Sequence, residues 1–154
     1  VGFGGGLALE RAYRRGVRQL AGADPSEAAV AGLRARAARF PGAELRVERA
    51  AVEALPFVDG AFDAVLSTNT VYFWPDPAAA FAELRRVLRS GGRLALGYSG
   101  PAKLRDFGHI TRHGFHFREN EALAALAGAA GLEVLRVVAQ HGRNTEGDWV
   151  LVAG

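Results

Sequence analysis

Gly2-Phe3-Gly4-Gly5-Gly6 opens the chain with a G-x-G-x-G pattern. Glycines lack a Cβ, so a backbone built from them takes positive φ and comes close to a ligand. A helix that follows such a loop turns its free N–H groups and the positive end of its dipole toward that ligand. The pattern fits a nucleotide-like group, although some glycine-rich turns from strand to helix serve packing alone. It is not a dinucleotide fingerprint, because G-x-G-x-x-G needs glycine at position 7 and the residue is Leu7. No Gly-Lys-Ser/Thr follows, which excludes a phosphate loop. Asp24 stands at the end of the next predicted strand, where a carboxylate can accept from both hydroxyls of a ribose. Asp24-Pro25-Ser26-Glu27 also reads as a helix cap, with proline in the first turn and glutamate where a capping box has it. Taken alone, the cap is the better reading; behind a glycine loop at this spacing, the ribose contact is.

Farther along, Ser67-Thr68-Asn69-Thr70 lies at the carboxyl end of a predicted strand, where open α/β sheets bind ligands. Ser67 and Thr68 are candidates for ligand contact or for capping the loop. Tyr72-Phe73-Trp74 follows, and aromatic faces can hold a cation and exclude water. Packing under the next helix is the alternative, favoured for Phe73, while Tyr72 and Trp74 are expected at a pocket. Asp63, at the start of its strand, reads as a structural contact. His109, His113 and His116 sit in an irregular segment with Asp106, Phe107, Phe115 and Phe117. Their spacing, without a third firm ligand, does not make a metal site. They read as surface or packing histidines, one of which could serve as a general base. Tyr98 and His141 are further candidates for that role.

Positioning these groups requires alternating strands and helices, the pattern of an α/β domain with a mostly parallel sheet. The pattern predicts helices over 7–15, 26–40, 77–89 and 119–130. It predicts strands over 17–23, 45–48, 62–67, 93–98, 132–139 and 148–153. Asp76 with Pro77 makes a helix start, and Ser90-Gly91-Gly92 reads as a helix end. A chain of 154 residues suits one domain, 1–154, with 99–118 as its irregular segment. A glycine loop of this kind needs a strand immediately before it, and only Val1 stands there. The second and fourth strands of such a sheet would flank a slot of unpaired backbone. We therefore expect an N-terminal strand, apparently truncated here, ahead of Val1.

Composition narrows the function. The balance of 19 Lys+Arg against 16 Asp+Glu leaves a charge of +3, and Lys103 is the single lysine. The arginines are scattered, so solvated helix faces are expected rather than a nucleic-acid surface. With no cysteine, a disulfide framework and thiolate chemistry are excluded. No apolar run reaches the ~18 residues of a membrane span, and no signal peptide opens the chain. A cytoplasmic location fits.

The order of motifs is specific. The glycine loop, Gly22-Ala23-Asp24-Pro25-Ser26, Glu53-Ala54-Leu55-Pro56-Phe57, Gly60-Ala61-Phe62-Asp63-Ala64-Val65 and Arg85-Arg86-Val87-Leu88-Arg89-Ser90-Gly91-Gly92-Arg93-Leu94 follow one another at fixed spacing. From Gly2 to about Tyr98 the chain resembles class I S-adenosylmethionine-dependent methyltransferases of the ubiquinone/menaquinone-biosynthesis-like kind (type 11). The resemblance implies a Rossmann-like, doubly wound, mostly parallel sheet with an antiparallel last strand. It implies S-adenosyl-L-methionine as cofactor and methyl transfer as the activity. Gly2, Phe3, Gly4 and Gly6 would cradle the methionine and ribose ends, and Asp24 with Pro25 the ribose. Ala51 and Val52 would flank the adenine, and Ser67 and Thr68 would face the methionine part. The family often has aspartate where this chain has Ala51, so that contact to the adenine amino group is absent. Residues 99–118 match the variable segment that covers the substrate, which makes Tyr72, Trp74, His113 and His116 candidates for the acceptor side. Thr68-Asn69-Thr70-Val71-Tyr72 replaces the Asn/Asp-Pro-Pro-aromatic motif of nucleic-acid amino-methyltransferases, so a small-molecule acceptor is expected. Two other readings remain: an NAD(P)-binding Rossmann enzyme, disfavoured by Leu7, and a catalytically silent methyltransferase-like binding subunit. The catalytic base, the acceptor and the oligomeric state have no sequence signature.

Overall fold

The computed structural model describes residues 1–100, 103–104, 115–116, 118–140 and 148–154. The glycine loop runs straight into α1 (Leu7–Arg14), followed by β1 (Gln19–Asp24) and α2 (Glu27–Arg34). The cap of α2 is Ser26, whose Oγ accepts from the Ala29 N–H at 3.3 Å. A helix to Phe40 was expected, but α2 stops at Arg34 and a short 3-10 turn, Ala37–Arg39, follows. Arg36 Nε bonds back to the Gly32 carbonyl at 2.9 Å, satisfying a helix-end acceptor, and the bend buries Phe40.

After β2 (Glu44–Arg49) and a loop comes β3 (Phe62–Thr68), then a 3-10 turn, Val71–Phe73, and α3 (Pro77–Val87). Asp76 caps α3, accepting from the Ala79 N–H at 3.0 Å, with proline in the first turn. The expected run of α3 to residue 89 is corrected: Leu88 is already extended and opens β4 (Leu88–Ser99). Ser90-Gly91-Gly92 is thus no helix end but a kink inside β4, with Gly91 at φ 73° and a register shift opposite Phe62 and Ala64. Asp63 pairs with Arg89 beside this kink. α4 (Asn120–Ala129), β5 (Val134–Ala139) and β6 (Asp148–Ala153) complete the described chain.

The strands form two sheets, β1-β2 and β3-β4-β6-β5. The β1/β2 and β3/β4 pairs are parallel, and β6 runs antiparallel to both its neighbours. This is the α/β layering expected, with the antiparallel last strand in place. The core forms two clusters, and β1 contributes to both. One cluster gathers around Phe81, Leu84, Leu94, Leu96 and Leu123; a second, of Leu20, Val30, Leu33, Phe40 and Val47, joins β1 and β2 to the helices over them. Among the described residues no helix is long and apolar enough to cross a membrane.

Between β1 and β3 lies an apolar cleft of ≈ 690 Å³, walled by Leu9, Val17, Phe62, Leu66 and Ala95 among others. Residues 1 and 2 bridge it with backbone hydrogen bonds. The Val1 amine donates to the Leu66 carbonyl and the Gly2 N–H to the Ala23 carbonyl, each at 2.7 Å. These are the bonds that the end of a central parallel strand would make. Burial lowers the Val1 amine to about pKa 6, against the opposing pull of the Asp24 charge. The unfolded amine, with its ordinary value of 8.0, therefore holds more protons between about pH 6 and 8 than the folded one. Stability should rise with pH across that window and fall as pH drops through it. Fusing about five β-branched residues ahead of Val1 supplies strand for the cleft and turns the amine into an amide. It is expected to abolish the pH dependence and to raise the unfolding midpoint by roughly 2–8 °C, for about 1–2 kcal/mol of net burial. Melts at both pH values, with an Asp/Gly-rich extension as control, check this; an unmoved midpoint argues against strand pairing in the cleft.

Candidate functional site

The glycine loop lies at the carboxyl ends of β1 and β3. Gly2, Gly4 and Gly6 all have positive φ, at 64°, 48° and 82°. The Gly6 N–H turns back onto the Phe3 carbonyl at 2.7 Å, closing the loop just before α1. Gly6 caps that helix without a side chain, so the first-turn N–H groups face outward unclaimed by a cap. A methyl group built on Gly4 or Gly5 would meet no atom within 4 Å, whereas one on Gly2 would lie 2.3 Å from Thr70 Cγ2. The loop is therefore open on one side and packed on the other. Phe3 belongs to the packed side, with its ring against Gly22.

Asp24 is buried beneath the loop, at 7% exposure. One carboxylate oxygen accepts from the Gly4 N–H at 2.8 Å and the other from the Ser26 N–H at 2.9 Å. Both sequence readings of Asp24 need sharpening. It is not the N-cap of α2, which is Ser26, but it fastens both the loop and the start of α2. Arg36 braces the loop from behind, with Nη2 on the Gly5 carbonyl at 3.0 Å. No local pattern marks Arg36 for this.

Ser67 is buried and its Oγ donates to the Val1 carbonyl at 3.0 Å, with Thr70 Oγ1 at 2.6 Å. Thr68 is exposed at the end of β3. Pro25 is exposed beside Asp24, and the Ala50 N–H bonds the Asp24 carbonyl at 3.2 Å, which brings the 50–54 loop alongside. Ala51 is exposed there and Val52 is in the core. The candidates for the cofactor end thus converge on one edge of the molecule.

The aromatic run distributes differently from the expectation. Tyr72 and Trp74 are buried, while Phe73 is 54% exposed. Trp74 meets Phe81 edge-on at 5.6 Å, as a core residue does. Tyr72 stacks on Phe115 at 4.9 Å. Its hydroxyl accepts the Ser99 N–H and donates to Asn69 Oδ1 at 3.3 Å. Asn69 itself is the described non-glycine residue with positive φ, 55°. Burial pushes the Tyr72 phenol up, and it pushes Tyr98, which also faces Glu121, to about 12. Burial favours the neutral form of both phenols. Ser99 also donates to Asp148, whose second oxygen takes Lys103 Nζ at 2.7 Å. His116 is exposed, with its backbone N–H on the Tyr72 carbonyl at 2.8 Å. His109, His113 and His141 lie outside the described residues, as does most of 99–118. Among the described residues no group of three or more His, Asp or Glu could hold a metal.

Comparison with known proteins agrees with this geometry. A family model described as "Methyltransferase domain" matches residues 1–96. A biotin biosynthesis bifunctional protein of Teredinibacter turnerae is 33% identical over 94 residues, 54% of this chain and 16% of that protein. Other curated relatives are likewise longer, with 21% and 20% of their length matched. A methyltransferase in complex with the Trm112 activator of Haloferax volcanii superposes at TM-score 0.85 and 19% identity, over 99% of this chain and 79% of that one. Geranyl diphosphate C-methyltransferase of Streptomyces coelicolor, in complex with S-adenosyl-L-homocysteine, gives 0.81 at 19% identity, over 99% and 68%. At these identities the structural likeness is one of fold.

The loop's two sides make a direct prediction. Gly2→Ala, at positive φ and against Thr70, is expected to cost roughly 1–3 kcal/mol of stability. Gly5→Ala meets open space and should change stability by less than about 0.5 kcal/mol. Denaturant unfolding of the two variants distinguishes a loop packed on one side from one packed on both.

Proposed function

Because the chain belongs to the methyltransferase-domain family, we propose that it transfers a methyl group from S-adenosyl-L-methionine to a small-molecule acceptor in the cytoplasm. The observation that carries this reading is the buried carboxylate of Asp24, fixed at 2.8 Å to the N–H of a loop that is open above Gly4 and Gly5. Each carboxylate oxygen has a second lone pair, so Asp24 can still accept from ribose hydroxyls. The residues present suit the cofactor. Space over the loop admits a ligand close to the backbone, and the uncapped N–H groups of α1 suit the cofactor's carboxylate. Gly2 to Gly6, Asp24 and Pro25 would hold the ribose and methionine ends. The turn at Ala51 and Val52 would lie against the adenine, with Ser67 and Thr68 beside the methionine part.

The bound cofactor supplies a methyl group on a positively charged sulfur, whose loss leaves a neutral thioether. The protein then has to align the acceptor and exclude water, and that accounts for much of the acceleration in such displacements. Phe73, Asn69 and His116 border the acceptor side. Tyr72 acts from below, holding Asn69 and Ser99 in place.

Titration calorimetry with S-adenosylhomocysteine tests the reading. Binding is expected, and Asp24→Ala should weaken it by about 1–3 kcal/mol, roughly 5–150-fold. Asp24→Asn, whose amide NH2 must face the Gly4 or the Ser26 N–H, should weaken it as well. Binding of NAD in place of S-adenosylhomocysteine would sink the proposal, and an unchanged affinity in both variants would remove Asp24 from the cofactor site.

A further inference from the structure

At the amino end of β4, on the opposite edge of the larger sheet from the glycine loop, lies a cavity that the proposed function does not use. Its volume is ≈ 290 Å³, and Arg85, Arg89, Arg93, Gly91, Gly92 and Glu133 are among its walls. β3 runs from this edge to the other, roughly 20 Å for its 7 residues. The chain makes the space locally. Leu88 leaves α3 for β4, and Gly91, at φ 73°, kinks the strand before pairing resumes at Arg93 opposite Ala64. A methyl group built on Gly91, or on Gly131 across the cavity, would meet no atom within 4 Å. The kink also gathers three arginines from different stretches of backbone. Arg85 comes from the last turn of α3, Arg89 from the approach to the kink and Arg93 from the strand beyond it.

The charges on these walls are not matched by the fold. Arg86, next to Arg85 in the chain, is fully engaged, with Glu83, Asp59 and the Leu55 and Phe57 carbonyls as acceptors. The Arg85 guanidinium has no acceptor among the described residues. Arg93 has the Gly92 carbonyl, at 3.4 Å. Arg89 is anchored through Nε to Asp63 and through Nη1 to the Ser90 carbonyl at 3.1 Å, which leaves Nη2. Glu133 is held by its backbone, which exchanges two bonds with Gly154 at 2.8 and 3.0 Å, while its carboxylate pairs with no described cation. We propose that this cavity binds a phosphate group. A guanidinium is a planar fork of donors that matches two phosphate oxygens. Arg85 and Arg93 supply two such forks, and Arg89 Nη2 a further donor. Glu133 decides which oxyanion fits. A carboxylate on the wall repels a fully deprotonated anion, but it accepts a hydrogen bond from one that still carries a hydroxyl. Phosphate keeps a proton near neutral pH and sulfate does not, so Glu133 favours phosphate. Inorganic phosphate and phosphate monoesters share this chemistry. The proposal is independent of the methyl-transfer reading, because none of these residues belongs to the cofactor side.

Titration calorimetry tests this with inorganic phosphate, methyl phosphate and sulfate, at about pH 6, near the second ionisation of a phosphate ester, in a buffer free of other oxyanions. The native protein should bind phosphate at one site with a Kd of about 1 mM or tighter, and sulfate at least about tenfold more weakly. Arg85→Gln and Arg93→Gln should each weaken phosphate binding at least about tenfold. Arg14→Gln removes the same charge from an exposed position on α1 and should leave the affinity within about twofold. Glu133→Gln should erase the preference over sulfate. All four side chains are exposed, so the variants should melt with the native protein in phosphate-free buffer, which separates lost binding from lost folding. Methyl phosphate bound at least as tightly as the free ion assigns the site to a phosphorylated small molecule; binding of the free ion alone assigns it to inorganic phosphate. No saturable binding of either, sulfate bound as tightly as phosphate, or an affinity that Arg85→Gln and Arg93→Gln change no more than Arg14→Gln does, overturns the proposal.

Discussion

One carboxylate holds the cofactor end of this molecule together. Asp24 ends β1 and is almost wholly buried, yet its two oxygens take N–H groups from opposite directions, Gly4 ahead and Ser26 behind. Its carbonyl takes a third, from Ala50. The glycine loop, the start of α2 and the 50–54 turn are all fastened to this one residue. Hydrogen bonds to a charged group are worth about 1.5–3 kcal/mol each, so the joint outweighs any single surface pair. Exposed pairs such as Arg49–Glu27 contribute little beside it. The carboxylate that fixes the loop is also the group to which the proposed function assigns the ribose of the cofactor.

The joint matters more because the sheet is not continuous. β1-β2 and β3-β4-β6-β5 are separate sheets, and β1 gives Ala23 to the core cluster of the larger sheet and Leu20 to its own. What joins them at the functional edge is short: two backbone bonds from residues 1 and 2, the Ser67 hydroxyl on Val1, and the contact of Gly2 with Thr70. The opposing edges of β1 and β3 and the apolar wall between them have the character of a strand site. The cofactor loop is thus held from the β1 side by charge-assisted bonds and from the β3 side by a narrow bridge. Its geometry on the β3 side depends on how well that cleft is filled.

Much of this was legible in the sequence, and the reasons are local. Positive-φ glycines, an acid at a strand end, Asp-Pro at the head of α3 and alternating strand and helix patterns all act within a few residues. The glycine loop, Asp24, the order of elements and the sheet gap could therefore be read in advance. Where the reading failed, a distant contact decided. Arg36, reaching to Gly32 and Gly5, stops α2 early. The pairing of Leu88 with Phe62 pulls the end of the predicted α3 into β4. Three consecutive aromatics on a 3-10 turn cannot all face inward, and Phe81 and Phe115 select Trp74 and Tyr72.

The division between legible and illegible follows the chemistry of the site. The cofactor half is built mainly from backbone: glycine N–H groups, helix ends and turns held by one buried acid. Such parts need particular residue types at particular spacings, and they leave a signature. Elsewhere, side chains of separate segments meet: Asn69 and Tyr72, Ser99, Lys103 and Asp148. These are joined by a chain of bonds from Asn69 through Tyr72 and Ser99 to Asp148 and Lys103. A displacement that releases a neutral thioether asks for alignment more than for a dedicated acid or base, so no fixed residue type is required along that chain. If the acceptor lies along that chain, as the proposed function has it, its members are free to follow the acceptor's shape and leave no fixed signature in the sequence.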